Sequence, residues 1–293
     1  MAKPPQPKIM AAIPAFNEEK YIGTIVLKTR QYVDEVVVVD DGSTDQTVSI
    51  AKLAGANVIQ HQQNRGYGAS IQTILADAKK KEFDILVLLD GDFQHNPDEI
   101  PQLIKPISEG FDLVIGSREE QGVNIPHYRR IGQRVISYFS RILSGKKLYD
   151  SESGFRVFSR KAIATLELSE NGMAASAETI AEAVEKRLKI TERPISIRYT
   201  EDGSTLNPVA HGFGVLGRII AMISERRPLF FFGLGGLILS VLSLLAGIRV
   251  LSIAYAGGGI ATGTALISML LLIIGVLSIF TGIILNVLAK WRS

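Results

Sequence analysis

The sequence of 293 residues contains no cysteine. This absence excludes disulfide bonds and thiolate metal ligands, and it suits a cytosolic domain without proving one. Acidic residues are absent from residues 228–293, where the only charges are Arg249, Lys290 and Arg292. Their net charge of +3 is the whole excess of the chain, because the 29 basic residues before them are balanced by 29 acidic ones. The high pI of about 9.0 therefore does not indicate a nucleic-acid partner.

Charge is also missing from two long stretches near the C-terminus. Residues 229–248 form an uncharged run of about 20 residues, the length that a helix needs to cross a bilayer core. A second uncharged stretch follows Arg249, and residues 264–288 would make another spanning helix. Neither segment has a polar face, which disfavours two core helices of a soluble domain. We therefore predict two transmembrane helices and a lipid bilayer as a partner.

Basic residues predict the orientation of these spans. Arg226 and Arg227 precede the first span, Lys290 and Arg292 follow the second, and the link between the spans carries no charge. Positive-inside logic then places both outer ends, and with them both chain termini, in the cytosol. Residues 211–228 interleave apolar residues with arginines, which predicts an amphipathic helix at the membrane surface. No cleavable signal peptide is expected, because the chain starts with a stretch rich in proline and lysine.

Strand-like and helix-like patterns alternate over the first 116 residues or so. This rhythm predicts an α/β domain with a mostly parallel sheet covered on both faces, and later patterns add a helix over 178–188 and a last strand over 195–199. Ligands of such sheets bind beyond the carboxyl ends of the strands. We expect an acidic crevice with one arginine there, because the predicted ends carry Phe16-Asn17-Glu18, Asp40-Asp41, Asp90 to Gln94 and Ser117-Arg118.

The segment from Asp90 to Gln94 follows a buried strand predicted over Ile85 to Leu89. Alternate residues of an extended chain point the same way, so Asp90, Asp92 and Gln94 would offer three oxygens to one point. Mg²⁺ and Mn²⁺ prefer such ligands and share their sites with phosphates. The alternative interpretation is a turn followed by a helix N-cap, since Asn96-Pro97-Asp98-Glu99 is typical of a helix start.

Five short motifs occur in one order along the chain: Pro14-Ala15-Phe16-Asn17-Glu18, Asp40 to Asp45, Asp90 to Gln94, Gly116-Ser117-Arg118 and Ser153-Gly154-Phe155-Arg156. Together they resemble the inverting GT-A glycosyltransferases of the family that contains dolichyl-phosphate mannose synthase. Asp90 to Pro97, Gly116 to Arg118 and the paired spans look like its polyprenyl-phosphate glycosyltransferases. The resemblance covers nearly the whole chain. It implies a Rossmann-like GT-A domain over 1–210, an interfacial helix over 211–228 and a transmembrane hairpin over 229–293.

The resemblance also implies roles for individual residues. The nucleotide-sugar donor would be bound by Pro14, Phe16, Glu18, Asp40, Asp41, Tyr67, Asp90 and Arg198, with Asp41 at the base. A divalent cation, Mg²⁺ or Mn²⁺, would be held on the donor diphosphate by Asp90, Asp92 and Gln94. The acceptor phosphate would be held by Arg118, Arg129 and Gln133, and catalysis would rest on Asp92, Arg118 and Arg129. Tyr67 could instead serve helix packing, and Arg156 could be a structural ion-pair partner.

Two departures from the family pattern concern the phosphate sites. Gln133 stands where the mannose synthases often have a serine, and Gly203-Ser204-Thr205 lacks the lysine of their Gly-x-Ser-Lys segment. The stretch Asn64-Arg65-Gly66-Tyr67-Gly68 looks more like the uridine-nucleotide branch than the guanosine one. The resemblance therefore favours UDP-glucose or UDP-N-acetylglucosamine as the donor, with GDP-mannose as the other candidate.

The expected acceptor is dolichyl or polyprenyl phosphate, and its chemistry differs from that of a hydroxyl acceptor. A hydroxyl needs a carboxylate base, whereas a phosphate monoester with a second pKa near 6 is largely dianionic at pH 7. Holding that dianion in line with the anomeric carbon is a task for arginines. The sequence has Arg118, Arg129, Arg130 and Arg134 in one region, although some of them could instead pair with acids or lipid headgroups.

Two rival functions remain open from the sequence. One is transfer to a lipid alcohol or a growing polysaccharide, but the Gln-x-x-Arg-Trp motif of such enzymes is not supplied by Gln133-Arg134-Val135. The other is a non-catalytic membrane scaffold on a degenerate transferase domain, against which the intact Asp90, Asp92, Gln94 and Arg118 count. A homo-oligomer formed through the transmembrane helices is compatible with the sequence.

The charge pattern at the spans gives a testable orientation. We expect the amino-terminal domain and Ser293 to lie on the same, cytosolic side of the membrane. Accessibility labelling at Ser293 in intact cells should therefore fail with a membrane-impermeant reagent and succeed after the cells are opened. Labelling of Ser293 from outside intact cells would reject this orientation.

Overall fold

The structure is a computed structural model, and it describes residues 7–118, 150, 153–197, 217, 220–225, 227–258 and 261–292. The chain divides into two compact units, Met1–Ile219 and Ile220–Ser293. The first unit holds a sheet with helices on both faces, and the second holds the apolar C-terminal helices. Each unit is described by itself below.

In the described part of the chain, seven strands form one sheet: β1 (Ile9–Ala15), β2 (Glu35–Asp40), β3 (Asn57–Gln60), β4 (Ile85–Leu88), β5 (Leu113–Arg118), β6 (Arg156–Ser159) and β7 (Ile190–Ile195). Their order is β3-β2-β1-β4-β6-β5-β7. The pairs β3–β2, β2–β1, β1–β4 and β5–β7 are parallel, whereas β6 is antiparallel to both β4 and β5. The carboxyl ends of all strands except β6 therefore lie on one edge, and β6 begins there.

Six α-helices within the described residues accompany the sheet: α1 (Ile22–Thr29), α2 (Thr47–Leu53), α3 (Tyr67–Lys80), α4 (Ile100–Ser108), α5 (Arg160–Thr165) and α6 (Ala175–Glu185). One buried cluster joins α1, α2 and α4 to residues such as Ile13, Val38 and Val87. A second joins α3, α5 and α6 to the opposite face, through residues such as Met10 and Val37. Strands buried on both faces are expected to be continuously apolar, as β1, β4 and the central residues Val36 to Val39 of β2 are. The predicted α/β class with a mostly parallel sheet is confirmed.

The last strand of the sheet differs from the prediction. It spans Ile190–Ile195 and so begins before the predicted residues 195–199, of which 198 and 199 lie outside the described residues. This strand lacks a clear hydrophobic pattern, because it contains polar residues and Pro194. Polar residues and proline nevertheless suit an edge strand that pairs with β5 alone. The short antiparallel β6 was not predicted either, because four residues that include an arginine carry no distinct pattern.

Four of the six helices just named end with a residue in the left-handed conformation. At two ends the residue is glycine, Gly55 and Gly110, and at the other two it is Glu82 (φ 55°) and Arg187 (φ 55°). Each is followed by a backbone hydrogen bond that closes the helix end, such as Leu188 N to Ala183 O at 2.8 Å. This is the geometry of a Schellman cap, so the left-handed residues at these four positions have a local explanation.

The second unit contains two long apolar helices, α7 (Pro228–Tyr255) and α8 (Thr262–Arg292). Both are long and apolar enough to cross a membrane, and their side chains are mostly exposed. They indicate that the chain associates with a membrane. Residues 220–225, which belong to the predicted interfacial helix over 211–228, are helical. That this segment lies on a membrane surface stays a prediction.

Small residues line the contact between α7 and α8. Ser243 Oγ donates to the backbone oxygen of Ser268 at 2.7 Å, and Ser268 Oγ donates to that of Ser243 at 2.8 Å. A side chain at Gly236 would collide with the carbonyl oxygen of Gly275 on the facing helix. Close backbone approach and serine hydrogen bonds are the usual means of joining helices in lipid, where apolar burial gives no driving force.

The adjacent glycines Gly235 and Gly236 make this contact testable. Leucine at position 236 must push α8 away, at a cost on the order of 1–3 kcal/mol for overpacking, whereas leucine at position 235 meets open space. We expect Gly236→Leu, but not Gly235→Leu, to lower the thermal unfolding temperature of the purified protein. The natural chain lacks cysteine, so a Ser243→Cys, Ser268→Cys pair can report the contact directly by disulfide formation. Equal cross-linking in both leucine backgrounds would contradict the observed packing.

Candidate active site

Polar loops meet at the edge where the parallel strands end. The loop after β1 carries Phe16 and Glu18, β2 ends in Asp40, and the turn after β4 carries Asp90 and Asp92. Because these three strands are neighbours in the sheet, their loops lie side by side. The acidic crevice predicted from the strand ends is thus supported by the topology.

The loop after β1 is held to the loop after β2 by side-chain hydrogen bonds. Asn17 has a left-handed backbone (φ 56°), its N–H donates to Ser43 Oγ at 2.8 Å, and its Oδ1 accepts from Thr44 N at 2.9 Å. The N–H of Glu18 donates to Thr47 Oγ1 at 2.8 Å. Asn17, Glu18 and Glu19 do not cap α1, because that helix begins at Ile22 without a side-chain cap. These residues instead fix Glu18 in the crevice.

The segment after β4 is a turn. The expectation that residues 90–94 continue as an extended chain is wrong, since Phe93 has a left-handed backbone (φ 60°). Within the turn, Asp92 Oδ1 accepts a hydrogen bond from Gln94 N at 3.0 Å. The helix-start interpretation of the following residues is confirmed, because Asn96 Oδ1 accepts from Asp98 N at 3.3 Å and caps a short 3₁₀ helix, Pro97–Glu99.

Asp90 lies against the segment that leads into β6. A side chain at Gly154 would overlap the Asp90 carboxylate, so only glycine leaves room for it. The hydroxyl of Tyr67 hydrogen-bonds Asp90, and burial, followed by the charge of Asp90, raises the pKa of this phenol. Tyr67 therefore reaches the crevice from the start of α3. The close approach of Gly154 to the Asp90 carboxylate places the Ser153-Gly154-Phe155-Arg156 motif beside Asp90.

Of two side chains near Asp90, one has a structural role of the kind that the sequence analysis considered, and the other was missed. Arg156 is buried, and it donates to the carbonyl oxygens of Ser153 and Ser176, each at 2.9 Å, which fits a structural role through backbone carbonyls. His95 was given no role, yet its buried ring packs against Phe155 at an angle of 36° between the ring planes, and its Nδ1 lies 3.7 Å from Asp90 Oδ2. The position of His95 inside the Asp90 to Pro97 motif could have indicated that it belongs to the site.

The acidic side chains of the crevice repel one another. Burial, then the charges of Asp92, Asp45 and Asp90, raise the pKa of Glu18 to about 7. Burial and the charge of Asp90 raise the pKa of Asp92 as well. The Cγ atom of Glu18 would lie 3.3 Å from a Cβ added at Gly91, so Glu18 covers the turn between the two aspartates. Such a cluster gains stability from a bound cation, which would neutralise the repulsion.

The oxygen ligands in this turn suit a hard divalent cation that is also coordinated by a diphosphate. Asp90 and Asp92 offer carboxylate oxygens, and Gln94 follows in the same turn. Among the described residues no group of three Asp, Glu, His or Cys side chains is arranged to hold a metal ion. Mg²⁺ is usually held in this way, by one or two carboxylates together with substrate phosphates and water. The residues therefore fit Mg²⁺ or Mn²⁺ bound together with a ligand.

Asp41 has more partners than the sequence suggested. Its carboxylate accepts from His61 Nδ1 at 2.7 Å, from Arg65 N at 2.9 Å and from Gly66 N at 2.7 Å. His61, which was given no role, is buried, and its Nε2 lies 2.9 Å from Thr73 Oγ1. Asp41 thus fixes the loop after β3, whatever it contacts in a donor.

Asp40 and the glycines at the start of α3 make contacts that serve the structure itself. Asp40 Oδ2 accepts from Ser43 N at 3.2 Å, while its buried Oδ1 has no hydrogen-bond partner among the described residues. Side chains at Gly66 and Gly68 would overlap the carbonyl oxygens of Asn171 and Glu170. The glycines of Asn64 to Gly68 are therefore explained by packing, which removes them as an argument for a uridine nucleotide.

The remaining predicted residues have these positions. Pro14 is buried in β1, Phe16 is 44% exposed directly after it, and Arg118 ends β5 opposite Ile195 of β7. The side chain of Arg118 lies outside the described part of the structure. Arg129, Gln133 and Arg198, together with Arg130 and Arg134, also lie outside the described residues. The acceptor-phosphate group therefore stays a prediction.

Comparison with known proteins identifies relatives. The profile of the family described as "Glycosyl transferase family 2" matches residues 11–166. The UDP-N-acetylglucosamine–dolichyl-phosphate N-acetylglucosaminyltransferase of Methanococcus voltae is 34% identical over 242 residues, covering 73% of this chain and 95% of the relative. A dolichyl-phosphate hexose transferase of Haloferax volcanii is 29% identical over 216 residues, covering 72% and 92%.

The fold also matches solved structures. Glucosyl-3-phosphoglycerate synthase from Mycobacterium tuberculosis, in complex with Mn²⁺, UDP-glucose and phosphoglyceric acid, superposes with a TM-score of 0.61. The two proteins are 23% identical, and the match covers 75% of this chain and 79% of the other. At this identity the likeness establishes the GT-A fold alone. The bound ligands are a property of that other protein.

The raised pKa of Glu18 predicts a specific pH dependence. Between its ordinary value of 4.5 and about 7, the folded protein keeps a proton that the unfolded chain has released, so stability falls as pH rises through this range. We expect Glu18→Gln to raise the unfolding temperature at about pH 8 and to have little effect at about pH 4.5. Added Mg²⁺ or Mn²⁺ should stabilise the wild type more at the higher pH.

An exposed glutamate provides the control for this measurement. Glu82→Gln lies at the end of α3, and it should leave the pH dependence of the unfolding temperature unchanged. Parallel curves for the wild type and Glu18→Gln across this pH range would show that the acidic cluster does not repel as described.

Proposed function

The chain belongs to glycosyl transferase family 2, and from this premise we propose that it transfers a hexosyl residue from a nucleotide-diphosphate sugar to a polyprenyl phosphate at a membrane, with inversion. The observation that carries the proposal is the crowding of Glu18, Asp90 and Asp92 at the carboxyl edge of the sheet. An acidic crevice of this kind is suited to a cation bound with a diphosphate, which is the leaving group of a nucleotide sugar.

On the donor side, Asp90, Asp92 and Gln94 would hold Mg²⁺ or Mn²⁺ against the diphosphate. A cation bound there would act as a Lewis acid that neutralises the charge developing on the leaving group. Tyr67 reaches Asp90 and would help to orient it beside the donor. Pro14, Phe16, Asp40, Asp41 and Arg198 complete the proposed donor site.

On the acceptor side, the proposed nucleophile is an ionised phosphate that needs no protein base. Arg118, Arg129 and Gln133 would hold this dianion, and guanidinium groups suit it because they bind phosphate with two parallel hydrogen bonds. Two observations support a lipid acceptor: relatives are named for dolichyl phosphate, and α7 and α8 are long and apolar enough for a bilayer. A cytosolic catalytic domain is part of the proposal.

The proposed donor is UDP-N-acetylglucosamine or UDP-glucose, with GDP-mannose as the remaining candidate. The Methanococcus voltae relative, which matches over most of its own length, is named for UDP-N-acetylglucosamine. A polyprenol monophosphomannose synthase of Mycolicibacterium smegmatis, at 28% identity, supports keeping a mannosyl donor in the set.

A donor and acceptor panel tests this proposal. Purified full-length protein is incubated with Mn²⁺, polyprenyl phosphate and each of the three nucleotide sugars, and the released nucleotide and glycolipid are measured. We expect a product with one donor, none with a neutral polyprenol, and none without a divalent cation. Equal transfer to the neutral polyprenol would reject the phosphate acceptor, and no turnover of any donor would favour a non-catalytic scaffold.

The same assay includes a matched pair of aspartate variants. Asp92→Ala should lower turnover at least about 100-fold, because it removes a carboxylate ligand of the cation that would neutralise the charge on the leaving group, while the fold stays intact. Asp98→Ala, six residues further on and exposed, should keep near-normal turnover. Near-normal turnover of Asp92→Ala with Mn²⁺ would reject the proposed cation site.

A further inference from the structure

Phe93 has a left-handed backbone that neither a helix end nor a hydrogen bond of its own side chain explains. Four non-glycine residues in the described part of the chain have positive φ, and two of them, Glu82 and Arg187, close helix ends. Asn17 is the third, and its side chain hydrogen-bonds nearby backbone, which is how asparagine tolerates this conformation. Phe93 is bulky, lies in a turn and is therefore a true outlier. Such strain persists where the surroundings impose it, and it concentrates at functional sites.

The surroundings that impose it are apolar and aromatic. Phe93 is partly buried and packs against the core cluster that contains α1 and α4. Its ring stacks on Tyr21 with the ring planes 9° apart and the centroids at 6.3 Å. Lys28 Nζ lies 5.5 Å from the centre of the Phe93 ring, and Lys20 Nζ lies 5.1 Å from that of Tyr21. The Phe93 side chain is thus anchored on the helix side of the turn.

The anchor lies between two of the proposed cation ligands. Asp92 and Gln94 flank Phe93 directly, and the hydrogen bond from Gln94 N to Asp92 Oδ1 closes the turn around it. Had residues 92–94 stayed extended, the side chains of Asp92 and Gln94 would project from the same face. The left-handed residue reverses the backbone at this point, so the conformation at position 93 determines where both neighbours point.

We propose that Phe93 is a positioning residue for the donor site: its ring, held by Tyr21 and the core, locks the turn that aims Asp92 and Gln94 at the diphosphate-bound cation. This inference rests on the proposed function, because it assumes that Asp92 faces such a cation. It assigns the residue between Asp92 and Gln94 a role through its side chain, although that side chain packs on the core and on Tyr21.

Glycine at position 93 separates the effect of the left-handed backbone from the effect of the anchored ring. Glycine adopts the left-handed conformation freely, so Phe93→Gly removes the anchor without adding strain. If the turn merely tolerated the strained backbone of Phe93, Phe93→Gly would keep the turn and relieve that strain. If the ring is an anchor, the turn loses its fixed conformation. Phe93→Leu is the rescue variant, since it restores apolar packing against the core. Arg187→Gly is the control at a left-handed helix end far from these ligands in sequence.

The experiment measures Mn²⁺ binding and turn order separately. Mn²⁺ affinity of the full-length protein is measured by electron paramagnetic resonance, without and with UDP or GDP, and amide hydrogen exchange of residues 90–95 is followed without metal. We expect Phe93→Gly to weaken Mn²⁺ binding about 10-fold or more and to speed exchange, and Phe93→Leu to recover most of both. Arg187→Gly should change neither.

Asp92→Asn distinguishes failure of this inference from failure of the proposed function. If Asp92→Asn weakens Mn²⁺ binding but Phe93→Gly leaves both affinity and exchange unchanged, the positioning role is overturned and the cation site stands. If the wild-type protein binds no Mn²⁺ under any of these conditions, the cation site is overturned, and the positioning role falls with it. Faster exchange in Phe93→Gly with unchanged affinity would also overturn the positioning role.

Discussion

The repulsion among carboxylates at one edge of the sheet is the constraint on which the rest of the structure depends. Glu18, Asp45, Asp90 and Asp92 come from three different loops, and burial together with their mutual charge raises the pKa of Glu18 to about 7. An arrangement of this kind costs stability, so a protein retains it only where other contacts hold the loops in place. The same repulsion makes the crevice receptive to a cation and its phosphate ligand.

The loops are held by contacts directed away from the crevice. Asn17 ties the loop after β1 to Ser43 and Thr44, and the ring of Phe93 ties the turn after β4 to the α1 side of the core. Gly154 leaves room for Asp90 at the third side, where β6 begins. Each acidic group is therefore positioned through backbone and apolar anchors. This arrangement leaves acidic groups partly exposed, as a donor site requires.

The C-terminal hairpin solves a different physical problem. Two helices in lipid gain little from burying apolar side chains, so they need close backbone contact and hydrogen bonds to stay together. The reciprocal pair of Ser243 and Ser268 and the facing glycines Gly236 and Gly275 supply both. For an enzyme whose proposed acceptor is a lipid phosphate, such a hairpin would keep the catalytic unit at the membrane.

Much of this protein was determined by local sequence. Alternating patterns predict the α/β class because buried parallel strands must be apolar, and the uncharged runs predict the long C-terminal helices because charge is excluded from lipid. The Asp90 to Gln94 segment marked the crevice by composition alone. The edge strand Ile190–Ile195 and the short β6 were not predictable, because their residues carry no clear period and their partners are distant in sequence. Only the tertiary structure decided how residues 90–94 are shaped: the packing of Phe93 on α1 overrides the extended geometry that the sequence favoured. It also decided the surroundings of His61 and His95, since a buried polar contact depends on which side chains the fold brings within reach.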